Sequence, residues 1–286
     1  MYIVLGANGH VGSAVANTLL SQGQPVTVVT HDATHGGGWE DKGAQVAVAD
    51  VRDVLGLREV LRGGERLFML NPPAPPSTDA AAREKQTVLC IIEAIEGSGI
   101  RKVVAESTYG AQPGDNLGDL GVLYDMEQRL AAIPELSVSV IRAAYYMSNW
   151  DAALQEAREQ GVVHAFFPPD FKLPMVAPHD LGLVAARLLC APIEDGGLQY
   201  VEGPDRYGSA DVAAAFARAL DRPVQAVQTP AGQWVPSLMA AGFSQVAAES
   251  MAAMTQTTLD ERYDMPVEPE RGATTLQAYI DALVGR

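Results

Sequence analysis

The chain opens Met1-Tyr2-Ile3-Val4-Leu5-Gly6-Ala7-Asn8-Gly9-His10-Val11-Gly12, and the fold is decided within those residues. Tyr2 to Leu5 is a short apolar run of the kind that forms a strand buried on both faces, and Val11, Val15, Thr18 and Leu19 then recur at helical spacing. Gly6, Gly9 and Gly12 fall at the turn between them. Glycines so placed let the backbone turn sharply, approach a pyrophosphate closely and pack the helix on the sheet. The helix N-terminus meanwhile aims its free N–H groups at the anion. A glycine-rich turn with no ligand is written in the same letters. The strand before it and the helix after it favour dinucleotide binding, with the loop residues Asn8, His10 and Val11 beside the cofactor.

Outward from this turn, short β-branched runs alternate with longer stretches of helical period. Further strands are predicted at residues 26–30, 45–49, 67–70, 103–106 and 138–141, with helices at 54–61 and 79–96. Right-handed crossovers make a doubly wound parallel sheet the economical topology. The expected fold class is therefore α/β, a Rossmann sheet over residues 1–150 with a smaller, mainly helical cap or substrate domain over 151–286. The two are expected to interleave, with parts of 174–204 returning to the sheet. In that second half Pro178 and Asp180 open a helix through Cys190, with Asp180 as its N-cap. Strands are predicted at 162–167 and 198–201, another from Val224, and helices around 233–241, 244–254 and from Thr275.

Composition narrows the partners. Of 286 residues, 35 are acidic and 20 basic, a formal charge of −15, which argues against a nucleic-acid surface. Hydrophobic residues at 48% and charged ones at 19% are ordinary for a globular chain that can bury a large core. No run approaches the ~18 apolar residues of a membrane span, and no basic segment precedes an apolar one as in a secretory signal. A cytoplasmic protein acting on a small molecule, without membrane or nucleic-acid partners, is expected; a homodimer is compatible with this. Cys90 and Cys190 each sit in an apolar segment and read as buried thiols, not a disulfide.

Several segments together resemble one family. The GxxGxxG loop, Val48-Ala49-Asp50 ending the third strand, Asn71-Pro72 leaving the fourth, and Ser107-Thr108 after the fifth are similar to the NmrA-like branch of atypical short-chain dehydrogenases/reductases. So are Ile141-Arg142 with Tyr145-Tyr146-Met147-Ser148-Asn149, and Thr274-Thr275-Leu276 at the last helix, so the resemblance spans essentially the whole chain. It implies an NAD(P)-binding protein, often a reductase of quinones, azo compounds or related electrophiles, and sometimes a dinucleotide sensor without catalysis. By the same resemblance Asp50 and Val51 would sit by the adenine, Asn71 and Pro72 near the nicotinamide ribose, and Ser107 and Thr108 near the nicotinamide.

Cofactor choice rests on two opposed residues. Asp32 falls about 20 residues beyond Gly12, where a carboxylate would bind the ribose 2′-hydroxyl of NADH. In the family register His31 takes the place of an arginine that meets the 2′-phosphate of NADPH. The balance tips slightly to NADPH, because Asp32 lies past the strand end and reads as a turn residue.

Catalysis departs from the wider superfamily, which pairs a tyrosine with a lysine four residues on. Tyr124, placed near a helix start, is followed at that spacing by Gln128, and the chain has only Lys42, Lys85, Lys102 and Lys172. Without a cation Tyr124 is a poor proton donor at neutral pH. Tyr124 and Thr108 are nevertheless the candidate catalytic residues. Tyr109, Tyr145, Tyr146 and Asn149 follow the carboxyl ends of strands and are candidates for the substrate wall. His31 and His35 have a metal-like spacing, but Gly36-Gly37-Gly38 denies them a helix and no metal is expected.

Overall fold

The computed structural model describes residues 1–286 except Ala33, His35, Asp115 and Arg286, so the His31/His35 spacing lies partly outside the described residues. The first half alternates strand and helix: β1 (Tyr2–Val4), α1 (His10–Ser21), β2 (Val26–Thr30), α2 (Gly37–Glu40), β3 (Gln45–Val48), α3 (Val54–Leu61), β4 (Arg66–Met69), α4 (Ala80–Ile95), β5 (Lys102–Thr108), α5 (Asp119–Ala131) and β6 (Ser137–Ala143). There follow β7 (Tyr145–Tyr146), a 3-10 segment (Met147–Ala153), α6 (Leu154–Gln160), β8 (Val162–Ala165), β9 (Leu173–Val176), α7 (Pro178–Cys190) and β10 (Gly197–Glu202). The chain ends with β11 (Arg206–Tyr207), α8 (Ser209–Leu220), β12 (Gln225–Gln228), α9 (Trp234–Ala240), α10 (Gln245–Leu259), β13 (Glu270–Arg271) and α11 (Leu276–Val284).

The main sheet has eight strands in the order β3-β2-β1-β4-β5-β6-β10-β13. Every neighbouring pair is parallel. The order reverses between β1 and β4, which opens the crevice where Rossmann-type sheets take their ligands. Both faces are covered, as parallel sheets require. Alternate residues serve the two faces: Val4, Phe68, Val104 and Ile141 pack with Val11 and Val15 of α1 and Leu181 and Ala185 of α7. Ile3, Leu67 and Val103 pack with Leu57 of α3, Ile91 of α4 and Met126 of α5. A third cluster, containing Trp150, Val163, Phe216 and Ile280, lies under the later helices.

α1 and α7 pack unusually closely. A β-carbon on Gly182 would lie 2.5 Å from the β-carbon of Ala14, so the two helices meet where one has no side chain. α7 spans Pro178–Cys190 as expected, but Asp180 is not its cap. Ala177 is its N-cap residue and Pro178 fills the first turn, as proline commonly does. Asp180 therefore sits inside the helix, and its carboxylate accepts hydrogen bonds from Thr274, from the N–H at 2.9 Å and the hydroxyl at 2.8 Å. Tyr124 likewise lies in the middle of α5, whose first residue is Asp119. Two small sheets complete the structure, β11-β9-β7 and β12-β8. Cys90 is buried and Cys190 partly exposed, and both are free thiols.

Gly182→Val tests the α1/α7 contact. The added side chain should cost about 1–3 kcal/mol of unfolding free energy, read by urea denaturation; an unchanged midpoint would show that the helices can separate at no cost.

Candidate functional site

The carboxyl ends of β1, β4, β5 and β6 carry the polar groups of the sheet. At β1, Gly6 adopts φ +69°, a left-handed conformation that strains any side chain. Gly12 has no room for a side chain at all, since a β-carbon there would stand 2.2 Å from the Gly6 carbonyl oxygen. Gly9 closes the turn, its N–H donating to that carbonyl at 2.9 Å. Gly9 is also the N-cap of α1, so no side chain caps the helix, and its first turn holds no acidic residue. The first-turn N–H groups and the positive end of the helix dipole are thus left for an anion. Val11 and Gly12 are buried behind the loop, while Asn8 and His10 are exposed on it.

Asn8 ties the loop to the end of β2. Its amide donates to Thr30 Oγ1 at 3.2 Å and accepts from Trp39 Nε1 at 3.1 Å. Beyond β2, the Asp32 carboxylate accepts from the Thr34 N–H at 2.8 Å, an Asx turn that engages it locally. His31 is exposed. At the end of β3, Arg52 grips Asp50 through two side-chain hydrogen bonds of 3.3 and 3.1 Å. Those bonds, then the Arg52 N–H, and last the nearby His31, hold the Asp50 carboxyl below its ordinary range. Val51 is half-buried beside them.

The centre of the edge is a set of buried acids. Asn71, just past β4, donates to the Glu84 carbonyl at 3.4 Å, and its own Oδ1 is buried without a partner. Pro72 follows, half-buried. Glu84 of α4 accepts from the Ala74 N–H at 2.8 Å. Burial, and after it the neighbouring Asp119 at the start of α5, pushes the Glu84 carboxyl up to about 8. Glu106 of β5 accepts from the Tyr146 hydroxyl at 2.9 Å. Burial lifts it to about 8, with the tyrosine hydrogen bond opposing.

Neighbouring residues have other partners. Ser107 is buried and donates to Glu127 Oε1 of α5 at 2.5 Å. Glu127 also receives Arg142 through bonds of 2.9 and 2.7 Å, a bidentate buried pair. Tyr109 is buried and donates to Glu202 at 2.9 Å, and Arg271 and Arg206 pair with the same carboxylate at 3.1 and 3.5 Å. Burial and Glu202 raise the Tyr109 phenol well above its usual range. Tyr145 meets Trp150 at a tilt and Phe167 edge-on beside the third cluster, and burial pushes its phenol up to about 12 against a hydrogen bond with Asn149. Thr108 and Tyr146 are half-buried and Asn149 is exposed. Tyr124 is half-buried on α5 with Gln128 one turn on. The four lysines have partners of their own: Lys102 Nζ donates to the carbonyls of Pro192 and Asp195, Lys42 to Asn17, and Lys85 and Lys172 pair with Asp125 and Asp211.

α10 lies against the loops that leave β4 and β5. Ser244 at its start ties the helix to those loops: its N–H donates to the Pro76 carbonyl at 2.9 Å and its hydroxyl to that of Thr78 at 2.7 Å. A β-carbon on Gly118 would come within 2.7 Å of Ser250 and 2.9 Å of Met254. Among the described residues no group of three or more His, Cys, Asp or Glu side chains is arranged to hold a metal, and no helix is long and apolar enough to cross a membrane.

The family model of the NmrA-like family matches residues 2–282. The chain belongs to the NmrA-like family. This NmrA-like chain is 25% identical over 253 residues to the NAD(P)H azoreductase of Xenophilus azovorans, covering 88% of itself and 85% of that protein. In structure it is similar to the triphenylmethane reductase of a Citrobacter species, with a TM-score of 0.82 at 15% identity over 100% and 99% of the two chains. It is likewise similar to an NADPH-dependent quinone oxidoreductase from Escherichia coli, with a TM-score of 0.76 at 19% identity over 99% of each. At those identities the structural likeness speaks for the fold.

Sequence reasoning singled out the glycine loop, and it passed over Glu84, Glu106 and Glu127. The signal for Glu106 was present: a carboxylate in the run Val103-Val104-Ala105-Glu106, within a strand covered on both faces, is rarely buried unless it has a special role.

The raised carboxyls make stability depend on pH in a definite direction. Glu84 and Glu106 keep protons in the folded state that the unfolded chain, with carboxyls near 4.5, has released. Their stabilisation is complete below about pH 4.5 and is lost as pH rises through about 8. Unfolding free energy should fall over that window by up to about 1.4 kcal/mol per pH unit for each group. Glu84→Gln and Glu106→Gln should each flatten the slope in denaturant titrations; a slope unchanged in both variants would show that these carboxyls are ionised.

Proposed function

We propose that this NmrA-like protein is an NAD(P)H-dependent reductase of small electrophilic acceptors such as quinones or azo compounds, with NADPH preferred. The observation that carries the proposal is the cradle at Gly6, Gly9 and Gly12, where the positive φ of Gly6 and the close approach at Gly12 disfavour side chains and the N-terminus of α1 is left uncapped. That donor set fits a pyrophosphate. Asn8, His10 and Val11 flank it, Asp50 and Val51 stand on the adenine side, and Asn71, with its unpartnered buried Oδ1, and Pro72 stand on the nicotinamide side. Ser107 contributes through its backbone position, because its hydroxyl is given to Glu127. The azoreductase likeness over most of both chains supports the same cofactor class and one acceptor class.

Reduced nicotinamide, when bound, supplies a hydride to the acceptor. The chain's part is to orient the two reactants and keep them close, which by itself supplies a large share of the rate. Thr108, Tyr109, Tyr145, Tyr146 and Asn149 are proposed to form the wall, with Tyr109 and Tyr145 serving mainly through their packed rings and Tyr146 through its hydroxyl. Tyr124 keeps a minor role, since Gln128 gives it no cation. That same absence supports a second reading, a dinucleotide-binding redox sensor without turnover. A curated relative from Gibberella fujikuroi, 27% identical over 209 residues, is called a nitrogen metabolite regulation-like protein.

Calorimetric titration with NADPH and NADH, followed by nicotinamide absorbance with quinones and azo dyes, separates the readings. We expect binding of both nucleotides, tighter for NADPH, and oxidation of the bound nucleotide by at least one acceptor class. Binding with no oxidation by any acceptor would leave the sensor, and no binding would remove both. The NADPH preference is assigned to His31, because Asp32 is engaged with Thr34. His31→Ala should lower the NADPH/NADH affinity ratio several-fold; an unmoved ratio would assign the preference elsewhere.

A further inference from the structure

Glu106 is held where an unpaired carboxylate is strongly disfavoured. It is 4% exposed, in the covered strand β5, directly after the fully buried Val104 and Ala105. Buried carboxylates are ordinarily matched by a cation or by several donors. Glu106 has one hydrogen-bond partner, the Tyr146 hydroxyl at 2.9 Å, and none of the ion pairs among the described residues includes it. Its second oxygen, Oε2, is buried and unpartnered. The groups around this pair are acidic too: Asp119 of α5 acts on Tyr146, and Glu84 of α4 is paired with Asp119. No cation faces Glu106 from these elements, so burial keeps it neutral at neutral pH. A neutral carboxyl carries a transferable hydrogen that an ion-paired one lacks.

Tyr146 links this acid to the carboxyl edge of the sheet. Its hydroxyl touches Glu106, and its side chain is half-buried at the carboxyl edge of the sheet, one residue after the packed Tyr145. Burial and the Glu106 contact raise its phenol well above the ordinary range, so by itself it is a weak acid. A phenol that receives a proton as it gives one away does not have to bear that weakness, because the net donor is then the carboxyl behind it.

We propose that Tyr146 protonates the reduced acceptor and that Glu106 is the proton reservoir that resupplies it. The inference rests on the reductase reading. Addition of a hydride leaves the acceptor with one negative charge on oxygen or nitrogen. The Tyr146 hydroxyl turns its hydrogen from Glu106 toward that atom, and its O–H bond breaks as the new O–H or N–H bond forms there. The Tyr146 oxygen takes the hydrogen of Glu106 in the same motion, and the Glu106 carboxylate is reprotonated from water. Each turnover thus consumes one reduced nicotinamide and one solvent proton. Tyr146 is the catalytic residue here and Glu106 a positioning one.

The test compares wild type, Glu106→Gln, Glu106→Asp, Tyr146→Phe and the Glu106→Gln/Tyr146→Phe double variant, using NADPH with menadione and with methyl red. Wild-type kcat should be level below pH 8 and fall above it with the loss of one proton. Glu106→Gln and Tyr146→Phe should each lower kcat about 10²-fold and abolish that alkaline limb, with NADPH affinity by calorimetry kept within about twofold. The double variant should be no slower than either single one, as befits a single relay, and Glu106→Asp should recover part of the rate. The infrared difference between wild type and Glu106→Gln, taken without nucleotide, should contain a carboxylic-acid carbonyl band that disappears near pH 8 and is distinct from the band that Glu84→Gln removes. Variants that retain wild-type rate and alkaline limb, or a wild type without that infrared band, overturn the relay while the reductase stands. A wild type that oxidises NADPH with no acceptor overturns both.

Discussion

The contact between Gly12 and the Gly6 carbonyl fixes where everything else can be. With 2.2 Å from that oxygen to a notional β-carbon, α1 is seated on the end of β1 at a distance that only glycine at position 12 permits. The helix then meets α7 at another such point, Ala14 against Gly182. α7 in turn holds the chain leading into α11 through Asp180 and Thr274, and Gly272 is bare because a β-carbon there would stand 2.2 Å from the same carboxylate. One line of close contacts thus runs from the first loop to the last helix. It explains why a family likeness carried by the opening residues extends to Thr274-Thr275-Leu276.

Charge has to be reconciled with that loop. A chain of formal charge −15 repels an anionic nucleotide at long range. The formal count assigns a full negative charge to Glu84 and Glu106, and both stay protonated near neutrality. Glu127 and Glu202 are matched by Arg142 and by Arg271 and Arg206. The carboxyl edge of the sheet is therefore far less negative than its composition, and the N–H groups of α1 act there against little opposition.

What could be read from the sequence follows from how local each signal is. The strands from β1 to β6 declare themselves because each is a compact apolar run bounded by turn residues. β9 was hidden because Pro174 interrupts Leu173–Val176, and β7, β11 and β13 are pairs of residues whose partners lie far along the chain. The glycine loop is legible because strand, turn and helix are contiguous. The Glu106 and Tyr146 contact joins residues 40 apart, and Ser107 finds Glu127 20 residues on, so no spacing rule could pair them. The assignment of Asp180 as the cap failed for a different reason: Ala177 precedes the first turn, and a carboxylate that suits a cap suits a tertiary acceptor equally well.

The scarcity of lysine acquires a physical sense at the same edge. All four lysines are engaged, Lys102 so deeply that burial lowers its affinity for a proton. In the wider superfamily a cation brings a tyrosine down toward neutrality; here burial brings a carboxyl up to it. The two devices start from opposite ends of the pH scale and converge on a group able to give a proton near pH 7, which is what acid catalysis demands. They differ in cost and in consequence. A lysine adds positive charge beside the nicotinamide, whereas a neutral glutamic acid adds none, so an acceptor that becomes negative on reduction gains less from the field and depends more on the proton reaching it in time. Under the proposed relay, acceptors whose reduced forms are intrinsically stable anions should react best, and quinones, which delocalise that charge, are of this kind.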